Sequence, residues 1–147
     1  MKKLGIIFVL LFALCGCLSA KNLLNASYPE LGITLGTPSG LNLASGGWNG
    51  RFGVRATGMF YGPSFYGFQT TLGFKLLDDP KTLHSVGLAF GTLRWEFDDW
   101  TSVGAVYNTN FRGFFLETGL EVGRGDFSSP QFVLQIGYMR RFLPGPR

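Results

Sequence analysis

The run Arg51-Phe52-Gly53-Val54-Arg55-Ala56-Thr57-Gly58-Met59-Phe60-Tyr61 alternates in character residue by residue. Its even positions (Phe52, Val54, Ala56, Gly58, Phe60) are apolar or small. Its odd positions carry Arg51, Arg55 and Thr57 with Gly53, Met59 and Tyr61. Successive side chains of a strand point to opposite faces, so this run reads as a β-strand between two unlike environments. The same split recurs downstream. Over 65–77, Tyr66, Phe68, Leu72, Phe74 and Leu76, with Thr70 among them, oppose Gly67, Gln69, Thr71, Gly73 and Lys75. Over 84–95, Val86, Leu88 and Phe90 oppose Ser85, Gly87, Ala89 and Gly91. Over 100–110, Val103, Ala105 and Tyr107 oppose Ser102, Gly104 and Asn108. Phe114, Leu116, Leu120 and Val122 oppose Glu117, Gly119, Glu121 and Gly123 over 113–123. Over 131–142, Phe132, Leu134, Ile136, Tyr138 and Phe142 oppose Gln135, Gly137 and Arg141.

Gly, Pro, Asn and Asp punctuate these runs at regular spacing, the pattern of an all-β barrel or sandwich. Strands are expected at 30–36, 40–46, 51–61, 65–77, 84–95, 100–110, 113–123 and 131–142. A tight turn is expected at Phe111-Arg112. Residues 30–46 read either as one strand kinked at Pro38 or as two strands split at Thr37-Pro38-Ser39. A closed bacterial barrel with both termini on one side needs an even strand number, which selects the split and a total of eight.

Residues 1–20, MKKLGIIFVLLFALCGCLSA, have the three parts of a secretory signal. Lys2 and Lys3 precede an apolar run, and Leu18-Ser19-Ala20 offers a small-residue cleavage site. The apolar run is shorter than the roughly 20 residues of a membrane-spanning helix, so an uncleaved anchor is the weaker reading. Leu14-Cys15-Gly16-Cys17 resembles a lipobox, with lipidation of Cys17 as the alternative processing. The expected organisation is a signal at 1–20, a periplasmic segment at 21–29, a barrel at 30–142 and a tail at 143–147. Cleavage after Ala20 removes both cysteines, leaving neither a disulfide nor a thiolate metal site. It also lowers the formal charge from +4 to +2, too little for a nucleic-acid partner.

Soluble and membrane barrels both alternate, with opposite faces inward. The polar face here is rich in glycine rather than in the Lys and Glu that keep a surface soluble. Charged residues are 15% of the chain, and many fall in the connectors, among them Asp78, Asp79, Lys81, Glu96, Asp98 and Asp99. Trp48, Phe60, Tyr61, Tyr66, Trp95, Trp100, Phe111 and Phe142 lie toward strand ends, as aromatic girdles do. The expectation is an antiparallel up-and-down transmembrane β-barrel in a bacterial outer membrane, apolar face outward.

Strand rhythm and length over 30–142 resemble the small eight-stranded outer-membrane barrels of the OmpA and OmpX type. The last strand, Gln135-Ile136-Gly137-Tyr138-Met139-Arg140-Arg141-Phe142, resembles their assembly signal, with Phe142 at its final position. Arg140 departs from that pattern, and five residues follow Phe142. The resemblance implies outer-membrane lipid and the barrel assembly machinery as partners.

Arg51, Arg55, Lys75, Glu117, Glu121 and Arg141 fall on the inward face. Charges in a dry interior need partners or water, so these six are expected to form a charge network that plugs a narrow lumen. Glu117 and Glu121 lie about 13 Å apart along one strand, too far for paired-carboxylate chemistry on one sugar bond. His84 is the only histidine, and with the adjoining Ser85 it resembles the His/Ser pairs of outer-membrane lipid A acylases and deacylases. Neighbours on a strand point to opposite faces, which separates this pair as nucleophile and base. Arg124-Gly125-Asp126 spells an integrin-type tripeptide, a common chance match. No cofactor or metal site is expected. The expected role is structural or envelope-interactive, with a lipid-modifying enzyme and a soluble ligand-binding barrel as the competing classes.

Overall fold

A computed structural model describes residues 23–127 and 129–144. The expected signal, its cleavage site and Cys17 lie outside the described residues. Eight strands form: β1 (Tyr28–Gly36), β2 (Gly40–Asn49), β3 (Phe52–Gly62), β4 (Phe65–Asp78), β5 (Thr82–Trp95), β6 (Asp98–Phe111), β7 (Phe114–Gly125) and β8 (Gln131–Arg141). Each pairs antiparallel with its sequence neighbour. β1 pairs with β8 from Glu30↔Arg141 to Gly36↔Gln135, closing the barrel. Closure leaves no sheet edge, so the strands satisfy each other's backbone groups all the way round. Residues 30–46 fall in two strands, joined at Thr37–Ser39.

Several boundaries move outward from the expected ones. β1 begins at Tyr28, inside the segment expected to precede the barrel, because Tyr28 turns its side chain into the interior and donates to Asp78 at 2.7 Å. β5 and β6 lengthen until only Glu96 and Phe97 separate Trp95 from its partner Asp98. The β6–β7 turn is Arg112-Gly113, one residue later than expected, with Phe111 facing Phe114. Both turn residues have positive φ (52° and 97°), the geometry that matches a hairpin's twist.

The two faces differ as sharply as the alternation requires. Leu35, Phe52, Leu120 and Phe132 are each about 60–70% exposed on the outside. The inside buries Glu30, Arg55, Gln69, Lys75, Asn108, Glu117 and Gln135. This distribution inverts that of a soluble protein, whose core is apolar. Small apolar clusters share the interior, such as Ala44 with Phe115 and Met139.

Trp48 and Trp100 are not part of an outer aromatic band: both are buried inside. Glycine makes the room. Trp48 pairs with Gly53, which pairs with Gly73 and then Gly87 across three strands. A β-carbon on Gly53 would lie 2.5 Å from the Trp48 indole, and one on Gly73 2.8 Å from it. A β-carbon on Gly123 would overlap the Trp100 indole in the same way. Phe60, Tyr61, Trp95, Phe111 and Phe142 do stand exposed near strand ends.

Candidate functional site: the charged interior

Near the end of the barrel where both termini lie, Asp78 collects three donors. Its Oδ2 accepts from the Tyr28 hydroxyl at 2.7 Å and lies 2.7 Å from Lys75 Nζ. Its Oδ1 accepts from Arg141 Nη1 at 2.8 Å. Lys75 also donates to the carbonyls of Leu23 (3.2 Å) and Ala26 (3.0 Å), tying the segment before β1 across this end. The Tyr28 and Trp48 rings lie 4.4 and 5.4 Å from the ammonium, so Lys75 is buried without being unpaired. Arg141 reaches on to the carbonyls of Asp79 and Pro80.

One strand irregularity builds this cluster. Strict period-two alternation would put residues 75 and 78 on opposite faces. The β4–β5 register shifts between Lys75 and Leu77, and the shift returns Asp78 to the inside. Asp78 therefore reads as a connector residue from sequence, although it is the hub of this end.

The middle of the barrel is organised by Arg55. Its Nε and Nη2 both contact Glu30 Oε1 at 2.7 Å. Its Nη1 donates to Asn108 Oδ1 at 2.7 Å and lies 3.5 Å from Glu117 Oε2. The guanidinium also sits 4.5 Å over the Phe115 ring. Glu30 Oε2 accepts from Trp48 Nε1 at 3.0 Å. Glu117 Oε1 accepts from Gln69 at 2.5 Å and Gln135 at 3.1 Å. Seven strands, all but β5, thus meet at one guanidinium and two carboxylates.

Of the six inward charges expected, Arg55 and Glu117 meet in this cluster, and Lys75 and Arg141 meet at Asp78. The other two depart. Arg51 lies outside the interior: it is exposed in the two-residue Gly50-Arg51 turn, 6.0 Å over Phe74. β3 begins one residue later, at Phe52, so the alternation never constrains Arg51. Glu121 is inside but pairs with no cation among the described residues. Its Oε2 accepts from Ser102 at 2.6 Å, and its Oε1 has no partner. Sequence reasoning missed Glu30 and Asp78. Glu30 shares parity with Gly32 and Thr34, which was enough to place it inside.

His84 hydrogen-bonds the Tyr107 hydroxyl, while the Ser85 hydroxyl has no protein partner, so the two do not form a nucleophile–base pair. Among the described residues no group of three or more His, Cys, Asp or Glu could hold a metal ion. The inside is filled by ion pairs, amides and two indoles, with cavities of about 30 and 10 Å³ against the wall. This arrangement can cross-link the barrel internally.

The site belongs to a closed, eight-stranded, antiparallel barrel with a polar, ion-paired interior. The chain matches no family model, no curated protein and no solved structure.

Proposed function

We propose that this chain is a small β-barrel of a bacterial outer membrane, with a structural or envelope-interaction role and a lumen plugged by its own charges. One observation carries the reading: the outer face is predominantly apolar, with Leu31, Ile33, Leu43, Leu72, Leu88, Leu120 and Phe132 all exposed around a buried polar interior. Water penalises that arrangement and hydrocarbon favours it. Strands of 9 to 14 residues are long enough to cross a bilayer core when tilted. A closed barrel is also the one β architecture that leaves no backbone group unsatisfied in lipid.

On this reading outer-membrane lipid covers the apolar face, and the assembly machinery engages β8 during insertion. Arg55 and Asp78 hold the strands together from within, which suits a structural element better than a pore. A soluble ligand-binding barrel would need an apolar hollow where Arg55, Glu30 and Glu117 stand.

Fractionation of bacterial cells expressing the full chain tests the proposal. The protein should sediment with outer membranes, resist carbonate extraction, and run at different gel positions before and after boiling. Release into a detergent-free periplasmic extract would refute it.

A further inference from the structure

Glu121 differs from every other buried carboxylate described. Glu30 and Glu117 share Arg55, and Asp78 holds both Lys75 and Arg141. Glu121 is 4% exposed, with one oxygen on Ser102 and the other, Oε1, without a partner. The indole N–H of Trp100, 6% exposed, is likewise without a partner. Both residues line the same cavity of about 30 Å³, at the barrel end away from the termini, together with Thr37, Gln69 and Gln131.

The charge around this cavity is unbalanced in one direction. From the middle of the barrel to this end, three buried carboxylates (Glu30, Glu117, Glu121) face one buried guanidinium, Arg55. Gln69, which lines the cavity, donates to Glu117, so the second carboxylate lies one side chain away. An uncompensated carboxylate in a low-dielectric site attracts a counter-ion strongly. The volume suits a bare alkali-metal ion with at most a water or so. A divalent ion would ask for more anionic oxygens than one carboxylate and neutral side chains supply.

From this geometry we infer that the cavity bounded by Glu121 and Trp100 is a binding site for a small monovalent cation of the alkali-metal class. Glu121 Oε1 is its charged ligand, and neutral oxygens of Thr37, Gln69 or Gln131 complete the shell. The Trp100 N–H donates to a water carried by the ion. The ion offsets the charge of Glu121 in the upper interior, where the protein has no further buried cation of its own among the described residues. It depends on the barrel interior alone and stands whether or not the outer face meets lipid.

Thermal unfolding of the full chain in zwitterionic detergent, at fixed pH and ionic strength, tests this. Sodium, potassium and lithium chloride are compared with choline chloride, whose cation is too large for the cavity. The wild type should unfold about 3–6 °C higher in at least one alkali salt, saturably with its concentration. Glu121→Gln should respond equally to all four salts and be no less stable than wild type in choline. Glu121→Asp, which keeps the charge but withdraws it, should raise the half-saturating concentration about tenfold, and decides the matter if Glu121→Gln does not fold. Identical wild-type midpoints in all four salts would overturn the inference. So would an alkali response surviving undiminished in Glu121→Gln, or in Glu121→Asp where that variant decides.

Discussion

At the residue scale, Arg55 and Glu117 are unequal partners. Arg55 contacts Glu30 through two nitrogens at 2.7 Å but reaches Glu117 at 3.5 Å. Truncating Arg55 to Ala strands two buried carboxylates, and a loss of about 3–5 kcal/mol is expected. Glu117→Gln leaves Arg55 on Glu30, and its single amide oxygen can accept from the Gln69 and Gln135 pair or face Arg55 but not both, so about 1–2 kcal/mol should be lost. Double-mutant cycles on the unfolding free energy should give a larger coupling for Arg55–Glu30 than for Arg55–Glu117. Equal couplings would show that the guanidinium is shared rather than held by Glu30. Glu30 was legible in principle, since it shares parity with Thr34 in a strand already assigned. Glu121 was legible as an inward residue, but its want of a cation depends on neighbours that no strand pattern reveals.

At the element scale, alternation made six strands and their two faces readable, because each separates two environments over many residues, while the split of 30–46 into two more rested on the even strand number of a closed barrel. Alternation failed where the pairing slips. Between Lys75 and Leu77 the register shift turns Asp78 inward, and nothing local in Lys75-Leu76-Leu77-Asp78 marks that shift. It was overruled where composition competed with parity. Trp100 has the parity of Ser102 and Gly104, both inward, yet its place at a strand end suggests an interfacial aromatic. Packing of indole against glycine yields a second prediction. Gly53→Ala should destabilise by about 1–3 kcal/mol through crowding against Trp48, and by less in a Trp48→Leu background. A penalty unchanged by removing the indole would place the strain in the backbone instead. The outward rows give a third. Leu120→Arg or Phe68→Arg should cost about 2–4 kcal/mol near a bilayer midplane, measured by equilibrium folding into vesicles. Thr71→Arg should hurt by crowding a buried position, in detergent and bilayer alike.

At the scale of the whole molecule, the interior and the exterior have exchanged their usual roles. A soluble domain of this size draws its stability chiefly from apolar burial inside. Here the inside offers ion pairs, amides and a few apolar clusters, while the largest apolar surface lies outside. In the proposed account, lipid supplies the missing burial and the charge network sets which strands meet. The folded barrel should therefore depend on an apolar solvent for its outer wall. Rapid dilution of the urea-unfolded chain into buffer with and without short-chain phosphatidylcholine vesicles measures that dependence, read by circular dichroism and by gel mobility before and after boiling. The account predicts β-structure and a heat-modifiable band with vesicles, and aggregation without them. A monodisperse, fully folded barrel in lipid-free and detergent-free buffer would contradict it.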